Sequence, residues 1–140
     1  MAAIEINHKA ADYLREDGFL KGHLQVFEES ILQIEPVQKY DLALISGVLI
    51  HINPEELQHV YEKLYASSKR YICISEYYNP TPIEVPYRGH KEKLFKRDFA
   101  GEFLDKYPDC RLVDYGFQYH KDNYFPIDDI TWFLLEKRGS

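Results

Sequence analysis

Residues 40–54, YDLALISGVLIHINP, constrain this chain more than any other stretch. An apolar run of strand length ends there on a polar segment that opens a helix. An interior strand of an open α/β sheet presents its ligand-binding edge in this way. The Leu, Ala, Ile and Val content of residues 41–50, taken at face value, predicts a strand buried on both faces. Asn53-Pro54-Glu55-Glu56 then supplies a helix start: an N-capping Asn, Pro at the first helical position and Glu three residues after the cap. Leu57, Val60, Tyr61 and Leu64 follow on one helical face.

Other elements alternate around this unit. Residues 2–6 predict a short strand, and Asn7 caps a helix over residues 8–17 that Gly18 ends. Residues 23–28 alternate as a strand, and residues 70–75 form another that ends on Glu76-Tyr77-Tyr78. Residues 79–93 hold three prolines and a glycine, which predicts a long loop over the sheet edge. A helix from residue 97 or 98 to 107 is stopped by Pro108 and turns Phe99, Phe103 and Leu104 inward. Two strands follow at residues 110–119 and 130–135. Strands alternating with helices imply a mostly parallel α/β sheet, and the closing pair implies one antiparallel member. A single domain is expected over residues 1–138, with Gly139-Ser140 as a cloning scar.

Composition excludes several functions. A chain of 140 residues with 45% hydrophobic residues can bury a core. A net charge of -6, with cations spread among acids, argues against nucleic acid as a partner. The longest apolar run, residues 42–52, is broken by Ser46 and His51 and is far short of the roughly 20 residues a membrane helix needs. No membrane partner is expected. No basic leader precedes an apolar stretch, and Cys73 sits in the strand-like YICIS as a small hydrophobe, so a reducing cytoplasm without disulfides is expected. The histidines show no HExxH or CxxC type of spacing, so no metal site is expected. Asp128 and Asp129 are adjacent, point to opposite faces if extended, and suit a turn better than a paired acid site.

The segments FEESIL, YDLALISGVLIHINPEEL, KLYASSKRYICISEYYNPTPIEVPYRGHKEKLFKRDFAGEFLDKYPD, LVDYGFQYH and DDITWFLLEK carry a resemblance over nearly the whole chain. The chain resembles class I S-adenosylmethionine-dependent methyltransferases, and within them the methylase family associated with pseudaminic acid biosynthesis. The resemblance implies a Rossmann-like sheet with the cofactor S-adenosylmethionine over the carboxyl ends of the strands. It places Glu5 on the ribose hydroxyls, where a carboxylate can accept two hydrogen bonds. Ser30 and Ile31 lie in the turn that frames the adenine, with Ser30 where the family often has Asp. Gly47 and Val48 fall beside the sulfonium. His51 is the most chemically capable residue there, equally suited to capping a strand end or to taking a proton from an acceptor hydroxyl or amine. Tyr87, Arg88 and His90 lie in the region covering a small, sugar-derived acceptor, Arg88 through a bidentate pair.

Members of that family begin with a strand running into a glycine-rich turn, whose backbone N–H groups hold the methionine part of the cofactor. These residues open instead on what corresponds to the second strand, so the expected fold is a methyltransferase sheet lacking its first strand and that turn. Two strand edges then lack partners. Either residues 2–6 pair directly with residues 42–50, or two chains associate; a homo-oligomer that repairs the edge is the expectation. The chain is expected to be inactive alone, the alternative being a non-catalytic oligomeric binding or scaffold module derived from a methyltransferase.

Overall fold

The computed structural model describes residues 1–36, 38–89 and 92–139. The chain comprises two compact units, Met1–Val37 and Gln38–Ser140. In the first, β1 (Ala2–Ile4) leads into α1 (His8–Glu16) and then β2 (Gln25–Phe27), which pairs parallel to β1 with Ala3 opposite Val26. Asn7 caps α1 as its spacing predicts, its side chain accepting the Ala10 N–H at 3.1 Å. Asp17 ends the helix, and its Oδ1 accepts the N–H groups of Phe19 and Leu20, turning the chain back toward β2. His8 and Arg15 on α1 both reach Glu28, at 2.7 and 3.0 Å, and Arg15 also holds Asp12 at 3.1 Å. His8 first, and Arg15 with it, hold the Glu28 carboxyl below its ordinary range, and Glu28 in turn raises the His8 imidazole.

The second unit is built on a four-stranded sheet of order β3-β4-β8-β7: β3 (Tyr40–Ser46), β4 (Ser68–Glu76), β7 (Cys110–Gln118) and β8 (Ile130–Lys137). β3 and β4 are parallel, and β8 runs antiparallel to both of its neighbours. One antiparallel strand in a parallel sheet matches the sequence pattern. A separate hairpin, β5 (Ile83–Tyr87) with β6 (Glu92–Lys96), occupies the stretch expected to be a loop. Prolines at 80 and 82 lie outside it, and only Pro86 falls within a strand.

One face of the sheet carries α2 (Leu57–Ser67) and α3 (Phe99–Lys106). Leu57, Val60, Tyr61 and Leu64 are all buried, as their spacing requires, against Ile45, Ile72 and Ile74 on the sheet side of the core. Asn53 contributes no side-chain cap; a 3-10 turn, Pro54–Glu56, intervenes before α2 begins. Asp98 caps α3 by accepting the Gly101 N–H at 2.8 Å, and Phe103 meets Tyr61 edge to face at 5.8 Å. At the opposite end of the strands Glu136 of β8 takes Arg70 on one oxygen and Arg111 on the other, both at 2.8 Å or less through their terminal nitrogens. This fork ties β4, β8 and β7 together.

The expectation for residues 41–50 needs two corrections. The strand stops at Ser46, because Gly47 adopts φ +64 and turns the chain into a 3-10 turn, Leu49–His51. Nor is the strand buried on both faces: Leu42 is 48% and Leu44 61% exposed. β3 is an edge of its sheet, so apolar content alone did not report a covered face. Ala2–Ile4 pairs with β2, and β3 pairs with β4.

Candidate functional site

The carboxyl ends of β3 and β4 are joined by backbone and side-chain hydrogen bonds. Gly47 donates its N–H to the Ser75 carbonyl at 3.0 Å, and the next two N–H groups, of Val48 and Leu49, both point to Glu76 Oε1 at 3.0 Å. His51 and Ile52 donate back to Val48 and Leu49, closing the 3-10 turn. Three successive backbone donors are thus drawn to the last two residues of β4, and Leu49 and Ile50 are buried beneath. The left-handed φ of Gly47 makes this path possible.

Glu76 is 2% exposed. Its Oε2 is buried without a hydrogen-bond partner among the described residues. Burial pushes its carboxyl up to about 7, even though the N–H groups of residues 47–50 pull the other way. A cavity of about 10 Å³, water-sized, adjoins it, lined also by Tyr77, Arg97 and Thr131. Arg97 is turned toward Glu102, its Nε 2.6 Å from Oε1, while Glu102 Oε2 accepts the Tyr61 hydroxyl at 2.7 Å. Burial raises the Tyr61 phenol above its ordinary range, with that carboxylate adding to the effect.

The predicted residues of this unit fall into two places. Gly47, Val48 and His51 share the strand-end turn. The N–H of Val48 is engaged by Glu76, so that group is structural here, whereas a Cβ placed on Gly47 would meet nothing within 4 Å and the backbone borders open space. His51 is exposed at the end of the turn, against which β6 packs with Leu94 and Phe95 buried. Arg88 is exposed at the tip of the β5–β6 hairpin at φ +49. The backbone of Tyr87 ends β5 opposite Glu92, its side chain lying outside what is described, and His90 lies outside the described residues. A groove of about 190 Å³ opens at the other end of this hairpin, between Pro54, Ile83, Phe95, Lys96 and Arg97.

In the first unit Glu5, Ser30 and Ile31 come to one edge. β1 and β2 are parallel, and the Glu5 N–H donates to Phe27 at 3.0 Å, so the residues following both strands emerge on the same side. Glu5 Oε1 accepts the Asn7 N–H at 2.8 Å and shapes the turn into α1. Ser30 Oγ accepts the Leu32 N–H at 3.2 Å, and its carbonyl takes Gln33 and Ile34, forming the turn that contains Ile31.

Sequence reasoning missed Glu76, Arg97 and the hairpin. The available signal was YICISEYY: an acidic residue directly after a continuous apolar strand, next in the sheet to the strand that ends at residue 46. The hairpin was hidden by its prolines.

No family profile and no curated protein matches the sequence. Solved structures do match. The chain is similar to 1,6-didemethyltoxoflavin N1-methyltransferase of Burkholderia thailandensis, solved with 1,6-didemethyltoxoflavin and S-adenosylhomocysteine, at TM-score 0.73 and 12% identity, over 97% of this chain and 60% of that one. The fold is that of the S-adenosylmethionine-dependent methyltransferases. An S-adenosylmethionine-dependent methyltransferase of Leishmania major matches at TM-score 0.70 and 14% identity, over 96% of this chain and 54% of that one. The N-methyltransferase NodS of Bradyrhizobium japonicum matches at TM-score 0.70 and 12% identity, over 97% and 72%. The chain therefore spans just over half the length of the first two of these methyltransferases. In open α/β sheets ligands lie at the carboxyl ends of the parallel strands; in the second unit Gly47, His51 and Glu76 stand at those ends, and in the first unit Glu5 follows β1. Among the described residues no helix is long and apolar enough to cross a membrane.

Proposed function

We propose that the chain is an S-adenosylmethionine-dependent methyltransferase-like domain of the pseudaminic acid-associated type, which receives the cofactor at its strand ends and a small, sugar-derived acceptor on the side of the β5–β6 hairpin. The observation that carries this reading is the stitched turn at residues 47–51: an ordered backbone bordering open space at Gly47, with an exposed imidazole at its end. Glu5, Ser30 and Ile31 would hold the adenosine, and Gly47 and Val48 would lie beside the sulfonium. When bound, the cofactor supplies a methyl carried on a positively charged sulfur. The part left to the protein is alignment, with His51 taking the acceptor proton where one must leave. Arg88 suits an acidic group on the acceptor.

The 140 residues include no glycine-rich strand-to-helix turn, the feature that would hold the methionine half of the cofactor. They are therefore expected to bind it weakly and to transfer no methyl by themselves. Calorimetric titration with S-adenosylmethionine and S-adenosylhomocysteine tests this. Saturable micromolar binding would show that these residues suffice for a pocket, millimolar binding fits the proposal, and complete absence of binding removes the cofactor site.

A second reading is favoured by β3, an edge strand with Leu42 and Leu44 exposed. On this reading the chain is a non-catalytic scaffold whose sheet edge is completed by a second copy, and two open edges paired across a two-fold axis would satisfy the backbone groups of both. A monomeric mass by light scattering at micromolar concentration would count against it.

A further inference from the structure

We propose that closing the strand-end turn at residues 47–51 takes up a proton at Glu76, making Glu76 a positioning residue that couples the turn to pH. In the closed turn Oε1 accepts two backbone N–H groups at 3.0 Å, whereas Oε2 is fully enclosed and has no donor among the described residues. A carboxylate with one oxygen enclosed and unpaired is costly; the same oxygen carrying hydrogen is not. The step balances simply. As the turn closes, Oε2 forms an O–H bond with a proton from solvent; as it opens, the proton returns to water and the carboxylate is hydrated.

Among the described residues the surroundings give Oε2 no substitute cation. Arg97 lines the same small cavity but is directed to Glu102 at 2.6 Å. Tyr77 lines it too, and its ring carries Lys96 at 4.9 Å. Thr131, opposite Glu76 on β8, and Ser46, at the end of β3, do not ionise in this range. His51, on the turn itself, is exposed where Glu76 is buried. The raised carboxyl, about 7, agrees with this arrangement. By linkage the opening equilibrium then grows with pH while the open state is ionised and the closed state is not, and levels off above the closed-state value.

Cofactor binding plays no part in the test, because the readout is taken from ligand-free protein. Amide hydrogen exchange of the full chain, followed by NMR and corrected for intrinsic rates, should show the opening constants of Val48 and Leu49 rising about tenfold per pH unit from about pH 5 and levelling near pH 7. Glu76→Gln, which keeps an oxygen acceptor and cannot ionise, should remove that rise. A pH-independent opening constant in the native protein, or an undiminished rise in E76Q, would overturn the proposal. If E76Q does not fold, the side-chain carboxyl carbon of Glu76 gives the same decision: titration with a midpoint near neutrality, shared by the Val48 and Leu49 amides, supports it. A midpoint in the ordinary glutamate range overturns it.

Discussion

The indole of Trp132 on β8 lies against the backbone of Gly116 on β7, so closely that a Cβ at 116 would stand 2.7 Å from three of its ring atoms. Glycine is required here by contact rather than by backbone dihedral. Gly116→Ala should therefore push the indole off the sheet and cost about 1–3 kcal/mol, the range for overpacking. Trp132 is the sole tryptophan, so urea unfolding followed by its emission reads both the loss of stability and the displaced ring. Unchanged emission and midpoint would mean the ring swings aside freely.

Glu76 should make stability fall as pH rises. Its folded value, about 7, lies above the ordinary 4.5, so the native state binds the extra proton between those values. Stability from this group is complete below about pH 4.5 and has been lost by about pH 7. Glu76→Gln should be close to neutral at low pH and more stable than the native protein at pH 8 by about 1–3 kcal/mol, since each tenfold difference in proton affinity corresponds to about 1.4 kcal/mol. Denaturant midpoints of both proteins at the two pH values check this, and a gap that does not widen with pH contradicts it.

What sequence patterns conveyed follows from which interactions are local. The α2 face Leu57, Val60, Tyr61 and Leu64 and the cap Asn7 are local, and the helices they mark are present. Val48, Leu49 and Ile50 resume the apolar run after Ser46 and Gly47, so the strand end at Ser46 rests on one glycine dihedral that hydrophobicity does not encode. Leu42 and Leu44 have the character of buried residues, yet exposure depends on what lies beside β3, which no local pattern specifies. The same holds for the site. Glu76 matters because of residues 28 and 27 positions away in sequence, whose N–H groups converge on it only once β3 and β4 pair. The resemblance singled out Gly47, Val48 and His51, but nothing in the sequence told that their turn uses its own donors on β4.

The exposed pair on β3 makes a prediction about association. Leu42 and Leu44 lie on one face of an edge strand, since alternate residues share a face. If a second copy covers this edge, Leu44→Lys should shift the mass measured by light scattering at micromolar concentration toward the monomer, with the circular dichroism spectrum preserved. If the native chain is already monomeric, the same substitution should leave mass and stability unchanged within about 0.5 kcal/mol, as for other surface positions.

Glu136 should give the opposite pH dependence from Glu76. Arg111 first, and Arg70 with it, hold its carboxyl below the ordinary 4.5. The stabilising effect is thus present above about pH 4.5 and is lost as pH falls through the lowered folded value. Each oxygen receives its own guanidinium, Arg70 at 2.8 Å and Arg111 at 2.7 Å, so protonation weakens a link spanning three strands rather than one pair. Glu136→Gln should lower stability at pH 7 and flatten the acid limb below pH 4.5, while leaving the decline between pH 4.5 and 7 that belongs to Glu76. The double variant E76Q/E136Q should lose both slopes additively, because the two residues sit at opposite ends of β8's pairing with β4: Glu76 opposite Thr131, and Glu136 opposite Tyr71. Denaturant midpoints of the four proteins across pH decide it, and a steep acid limb surviving in E136Q would assign that limb to other carboxylates.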